Sequence, residues 1–255
     1  MKSININLDF LHNDGITSFS SEYNSGKFLN YLILAKDYEN KLRNNKGLEN
    51  SLNTVHHLPL YNSQFLNLCF KSDILQFCSK YFKGEFILHS CNACLTNKPT
   101  FKSYVNDFHR DTTCYFRNEN LFLNIFIPLT DFDSEDGPLL YIPGSHLNPD
   151  RPSENSFKNE STPLLTSKGK ITVWHSCLWH RLGDKSNNKT SGCITIIYCK
   201  PFIKPQLDYS KYFQKDFDNF SIKERKILGF YSQPATSLEN FHVENKERSF
   251  RKLYL

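Results

Sequence analysis

The feature that most limits the fold of this chain is a change of hydrophobic period near residue 85. Upstream, apolar residues recur at helical spacing. Phe28, Leu29, Tyr31, Leu32 and Ala35 make one stripe, with Lys27, Lys36 and Glu39 outside it. A second stripe runs through Ile74, Leu75, Phe77, Cys78 and Tyr81, with Asp73 as the expected N-cap and Gly84 as the expected stop. Residues 44–62 between the stripes read as a polar loop. From about 85 to 200 the pattern is that of short strands, at Phe86-Ile-Leu-His, 121–129, 171–175 and 193–198. Pro128 puts the end of the second near an edge. Turn signals at Asp136-Gly-Pro, Pro143-Gly-Ser, Lys168-Gly-Lys and Gly183-Asp separate them. Short strands joined by turns, with no helix between, argue an antiparallel sandwich or jelly roll. The expected fold is mainly β with flanking helices, one domain over 1–255. It divides into a helical layer (1–85), a jelly-roll core (86–200) and a mixed extension (201–255), where Ser221, Glu224 and Gly229 mark a short capped helix. Residues 148–168 read as a polar loop, either at the mouth of the core or a plain surface insertion.

Composition narrows the function. Of 255 residues, 39% are hydrophobic and 22% charged, with 22 Phe and 13 Tyr, which rules out disordered, collagen-like and coiled-coil chains. No apolar run approaches the roughly 20 residues of a membrane helix. The N-terminus has no apolar leader segment, so the expected compartment is the cytosol. Net charge is only +5, and its densest cluster (Lys246, Arg248, Arg251, Lys252) reads as a solvated helix face, so neither a nucleic-acid nor a membrane partner is expected. The eight cysteines are expected as reduced thiols. Cys91-Asn-Ala-Cys94 has CxxC spacing, but it lies beside a strand and lacks the second pair that a structural zinc site needs.

The chemistry sits among nine histidines. In His109-Arg-Asp111 the first and third residues of an extended segment face one way, so an imidazole and a carboxylate can converge on one ion. His180, between two predicted strands, is the best second imidazole, ahead of His175. Two His and one carboxylate suit Fe(II) and leave coordination positions open. Arg110 must point the other way and reads as a scaffold ion pair, His146 as structural, and Trp174, Trp179 and Phe126 as core. Asn92 and Asn124, on predicted strands, are candidates to face the pocket and bind a carboxylate.

The order of the segments around these residues carries a resemblance. Asp107-Phe-His-Arg-Asp-Thr-Thr is followed by residues 120–131, by Glu135-Asp-Gly-Pro-Leu-Leu-Tyr-Ile-Pro-Gly-Ser-His, and by Trp174-His-Ser-Cys-Leu-Trp-His-Arg-Leu-Gly. Over most of its length the chain resembles the phytanoyl-CoA dioxygenase-like family of Fe(II)/2-oxoglutarate oxygenases. The resemblance implies a double-stranded β-helix, cupin-like core with iron held by His109, Asp111 and His180. It also implies 2-oxoglutarate and O2 as co-substrates and a small-molecule substrate. Hydroxylation, with succinate and CO2 as co-products, is the usual outcome. The intact Asp111 speaks against halogenation, for which related enzymes carry a small residue there.

The sequence departs from the family pattern at one point. An Arg about nine to eleven residues after the distal His normally grips the far carboxylate of 2-oxoglutarate. Residues 189–193 here read Lys-Thr-Ser-Gly-Cys. Lys189 is the nearest cation and Ser191 a hydrogen-bonding neighbour, as is Thr190, while Lys98 and Arg117 are cations from elsewhere in the chain. A Lys supplies charge without the Arg fork. The alternative implied by that gap is a cupin-like metalloprotein, enzyme or sensor, that keeps the triad without using 2-oxoglutarate.

Overall fold

The computed structural model describes residues 8–48, 53–97, 104–117 and 119–242. In chain order its elements are α1 (Leu8–Asn13), β1 (Ile16–Ser20), α2 (Ser25–Asn45), β2 (Thr54–Val55), α3 (Ser63–Cys69), α4 (Ser72–Phe82), β3 (Ile87–Thr96), β4 (Phe122–Pro128), β5 (Leu139–Tyr141), α5 (Glu154–Glu160), β6 (Thr162–Pro163), β7 (Lys170–His175), β8 (His180–Leu182), β9 (Ser191–Cys199), α6 (Tyr209–Tyr212), α7 (Ile222–Ile227) and α8 (Leu238–Phe241). The strands form a six-stranded sheet in the order β1-β7-β4-β9-β3-β2 and a three-stranded sheet in the order β6-β5-β8. All pairings are antiparallel. This is the expected jelly-roll core, left open and not closed into a barrel.

Alternation along the strands gives the large sheet two unlike faces. Cys91, Ala93 and Leu95 on β3, Leu123, Ile125 and Ile127 on β4, Ile171 and Val173 on β7, and Ile194, Ile196 and Tyr198 on β9 enter one apolar cluster with the helices. The opposite face carries Asn92, Cys94 and Thr96, then Asn124 and Phe126, then Thr172 and Trp174, then Ser191, Cys193 and Thr195, as the pairs Asn124↔Trp174, Phe126↔Thr195, Cys94↔Cys193 and Thr96↔Ser191 show. One face thus supplies stability and the other a half-polar lining. The same alternation separates the CxxC cysteines. Three residues apart on a strand, Cys91 sits in the helix-side core and Cys94 against the other cluster, so they cannot share an ion or a redox step.

The helical layer forms because α4 turns Ile74, Leu75, Phe77, Cys78, Tyr81 and Phe82 inward, and Phe77 stacks on Phe19 with ring centres 5.5 Å apart. Four expectations need correction. The first 85 residues also contribute β1 and β2 to the large sheet; five- and two-residue strands are too short to register as a period. Their pairing supplies the order, including a Ser18–Thr172 hydroxyl bond of 3.0 Å. Helix α4 starts one residue before Asp73, whose carboxylate instead accepts from Ser21 Oγ at 2.6 Å and ties the helix to the end of β1. Its last turn is closed by Lys83 at φ 49°, not by Gly84. Beside Gly84, Lys200 Nζ donates to the Phe82 carbonyl, and a Cβ at residue 84 would meet it only at ordinary contact, 3.6 Å. Finally, residues 148–168 hold α5, capped by Ser153, and β6. Pro128 ends β4, a central strand, just beyond the last β7 pairing at Phe126.

The Ser221–Glu224 capping box and Gly229, at φ 79°, form as expected. Lys98 and the C-terminal basic cluster lie outside the described residues. No described helix is long and apolar enough to cross a membrane.

Gly15, at φ 80°, turns the chain from α1 into β1. A Cβ there would stand 2.5 Å from His146 Nδ1 and 2.8 Å from Leu178 Cδ1. Gly15→Ala is therefore expected to cost about 1–3 kcal/mol, seen as a fall of several degrees in Tm by thermal denaturation.

Candidate metal centre

Three segments meet above the polar face of the large sheet. His109 and His180 form an isolated antiparallel bridge, with each backbone N–H donating to the other's carbonyl at 3.0 and 3.1 Å. Asp111 N donates to the Ser176 carbonyl at 3.2 Å, which fixes the carboxylate two residues further on. One donor atom from each of His109, Asp111 and His180 lies within 4.8 Å of the others. His180 Nε2 is 3.6 Å from Asp111 Oδ2, and His109 Nε2 is 4.0 Å from Asp111 Oδ1.

The ligand atoms are aimed. His109 Nδ1 donates to the Asp107 carbonyl at 2.8 Å and His180 Nδ1 to the Leu178 carbonyl at 2.9 Å. Each imidazole uses its Nδ1 proton on the carbonyl two residues upstream, which leaves the Nε2 lone pair toward the centre. Asp111 Oδ2 accepts from Asn124 Nδ2 at 2.8 Å and from Trp174 Nε1 at 3.1 Å, so Oδ1 is the oxygen left for an ion. Asn124 also donates to Ser176 Oγ at 2.9 Å, and its buried Oδ1 has no partner. Burial lowers the pKa of His180, with Asp111 opposing and His109 adding to the effect. That favours the neutral imidazole a metal requires.

Other predicted residues take different places. His175 is 4% exposed, lies outside the triad, and accepts from Cys177 N through Nδ1 at 3.1 Å. His146 is structural, as expected, with Nε2 bonded to the His12 carbonyl at 3.0 Å. Arg110 is a scaffold residue but not through an ion pair. It donates to the carbonyls of Cys177, Ser145, Asn148 and Pro149 and stacks between Trp179 and Tyr115. Backbone carbonyls, more numerous than carboxylates around it, satisfy its fork. Trp174 and Phe126 are buried as expected, although Trp174 also serves Asp111. Asn92 is half-buried on the polar face, with its Oδ1 taken by His57 N at 3.0 Å.

Lys189 is not at the centre. It is exposed, its Nζ 3.8 Å from Asp133, because the turn that Asn187 Oδ1 closes on Lys189 N holds it outside the sheet. Arg117 is exposed as well. Ser191 is buried, and its Oγ accepts at 2.7 Å from the ammonium of Lys185. Sequence reasoning missed Lys185, which is 5% exposed. It follows the Gly183-Asp turn, where a Lys ordinarily reads as solvent-facing; only the cross-sheet partners Asp136 and Ser191 reveal its burial.

An antiparallel jelly roll with two imidazoles and one carboxylate facing a half-polar cup defines a class, the non-haem metal oxygenases. The phytanoyl-CoA dioxygenase (PhyH) family model matches residues 37–191. The chain belongs to that family, whose cofactors are the iron, 2-oxoglutarate and O2 that the sequence led us to expect. Among curated proteins it is 24% identical over 209 residues to Rv1501 of Mycobacterium tuberculosis (strain ATCC 25618 / H37Rv), a protein described as uncharacterized, covering 79% of this chain and 76% of that one. Among solved structures it is similar to the epimerase SnoN in complex with Fe3+, α-ketoglutarate and nogalamycin RO (TM-score 0.59, 18% identity, 77% of this chain and 84% of that chain). It is also similar to the carbocyclase SnoK from nogalamycin biosynthesis (TM-score 0.60, 16% identity, 85% and 92%). At these identities the structural likenesses speak for the fold.

Two outcomes follow from this geometry. Asn124→Ala removes one of the two donors that orient Asp111, so Fe(II) affinity measured by anaerobic titration is expected to fall 10–100-fold with the fold intact by circular dichroism. Burial also holds the pKa of His175 at about 3 and that of His89 at about 4, both below the ordinary 6.5. The unfolded chain binds these protons first, so stability is complete above pH 6.5 and declines as pH falls toward 4. Thermal melts from pH 8 to 4 are expected to stay flat above pH 7 and drop below 6.5, with the drop reduced in His175→Gln.

Proposed function

We propose that the chain is a non-haem Fe(II)/2-oxoglutarate-dependent dioxygenase that hydroxylates a small-molecule substrate in the cytosol and releases succinate and CO2. The observation that carries this reading is the aimed set of His109 Nε2, His180 Nε2 and Asp111 Oδ1. The donor set fits the ion. Two neutral imidazoles and one single-oxygen carboxylate suit Fe(II) and leave positions for a bidentate 2-oxo acid and O2. When bound, the iron would supply the redox chemistry that couples decarboxylation of the 2-oxo acid to oxidation of the substrate.

The chain's own residues do the rest. Asn124 and Trp174 keep Asp111 from swinging to a bidentate pose. The His109–His180 bridge locks both imidazoles into one rigid unit. Phe157 of α5 is buried and its ring lies against that of Phe108, the residue before His109, so the 148–168 segment flanks the centre on one side. Hydroxylation, as opposed to halogenation, is supported by the carboxylate at 111.

The test is anaerobic titration with Fe(II) and then 2-oxoglutarate, watching for the visible charge-transfer band of the chelate. Wild type is expected to develop the band and to release succinate with Fe(II), O2 and a suitable substrate. His180→Ala and Asp111→Ala are expected to lose it. A wild-type protein that binds Fe(II) but gives no band overturns the 2-oxoglutarate part of the reading.

A further inference from the structure

A small cavity lies beyond the triad, lined by Thr96, Asp136, Leu182, Lys185 and Ser191 among others, with Gly137 and Gly183 at its wall. Its walls continue the surface that holds the metal ligands. Leu182 is two residues past His180 on β8 and so faces the same way, about 6–7 Å further along the strand. Thr96 pairs with Ser191 across β3 and β9, which brings two hydroxyl residues side by side at the cavity end.

Lys185 reaches this place by close packing. Gly183 passes the Pro138 carbonyl where a Cβ would be only 2.5 Å away, and Gly137 lies against the Lys185 backbone and Cβ. The ammonium donates to Asn187 Oδ1 and to Ser191 Oγ, each at 2.7 Å. Asp136 Oδ1 is 3.7 Å away, beyond hydrogen-bond length. Asp136 is itself engaged by Asn187 Nδ2 at 2.8 Å and by the Asp133 backbone N–H at 3.1 Å. Two of the three ammonium protons are therefore used, and the third has an ion-pair neighbour but no hydrogen-bond acceptor at normal length. A side chain this deep, 5% exposed, keeps its charge only at high cost unless a full set of acceptors is supplied. A carboxylate entering the cavity would supply the missing one, with a charge-assisted bond.

We propose that Lys185, with Ser191 and Thr96 beside it, binds the far carboxylate of the 2-oxo acid co-substrate. The proposal rests on the Fe(II)/2-oxoglutarate reading and names how this chain holds that molecule. Length supports it. Four C–C bonds of about 1.5 Å span about 5 Å between the terminal carbons of a five-carbon dicarboxylate. With about 1.2 Å more from each terminal carbon to its oxygens, the molecule spans the step along β8 from the triad to the cavity. The anchor comes from the turn after β8, whereas the sequence pattern looks for a cation at 189–191, where β9 begins. Lys189 points to solvent and plays no part.

The test compares 2-oxoglutarate with 2-oxopentanoate, which has the same chelating end and no far carboxylate. Binding of each to the Fe(II)-loaded protein is read anaerobically from the chelate band, without turnover. Wild type is expected to bind 2-oxoglutarate at least tenfold tighter. In Lys185→Met/Asp136→Asn, which leaves neither charge buried alone, that preference is expected to vanish while Fe(II) affinity and 2-oxopentanoate binding hold. Lys185→Arg is expected to retain part of it. Should the double variant not fold, Ser191→Ala and Thr96→Val are expected to reduce the preference severalfold. A preference unchanged in these variants, or both acids weakened equally, overturns the assignment of Lys185 and leaves the metal reading standing. No chelate band with either acid in wild type overturns the 2-oxoglutarate reading itself.

Discussion

The reciprocal backbone pairing of His109 with His180 is the contact on which the candidate site depends. It joins a segment outside the regular strands to the first residue of β8, across 71 positions of sequence. Those two hydrogen bonds set the separation of the imidazoles, and each ring then turns on its own upstream carbonyl. Neither ligand is placed by a long regular element. Arg110 makes up for this. Seated between two aromatic rings and fanning its N–H groups to four carbonyls, it pins the 109–111 segment to the 145–149 turn and to Cys177. A guanidinium does this better than an ammonium, because its planar fork reaches several acceptors and stacks at the same time.

The two faces of the large sheet divide the labour. The face toward α2, α3 and α4 is almost wholly apolar and carries the stability of the fold. The other face buries Asn124, Thr172 and Ser191, each at the cost of desolvation. Hydrogen bonds repay most of that cost: Asn124 to Asp111 and Ser176, Thr172 to Ser18, and Ser191 to Lys185. The acceptor left over, Asn124 Oδ1, lies beside the carboxylate ligand, where a bound molecule carrying a donor would find it.

Much of this was legible in the sequence. The period change, the four strand segments and the Ser221–Gly229 helix follow from local pattern, and the triad follows from HxD spacing plus the segment order. What stayed hidden depends on distant partners. β1 and β2 are too short to show a period and exist because β7 and β3 offer open edges. Asp73 looks like a cap, but Ser21 recruits it. Lys185 reads as a surface residue after a Gly-Asp turn, while Lys189, with the expected spacing, faces water. Spacing counts residues along the chain; it does not show which way a turn swings them.

The order of strands in the large sheet has a consequence for synthesis. β9 lies between β3 and β4, and β7 between β1 and β4. A nascent polypeptide on the ribosome therefore carries β1, β3 and β4 as unpaired edges until residues 170–199 have emerged. Such edges invite association with other chains, and the delay is long because the β1–β7 pairings join residues 150 to 158 positions apart and the β3–β9 pairings residues 95 to 112 apart. Until β9 inserts, the helix-side apolar face has no continuous sheet to rest on. The strand order thus makes completion of the large sheet wait on its last two core strands, β7 and β9.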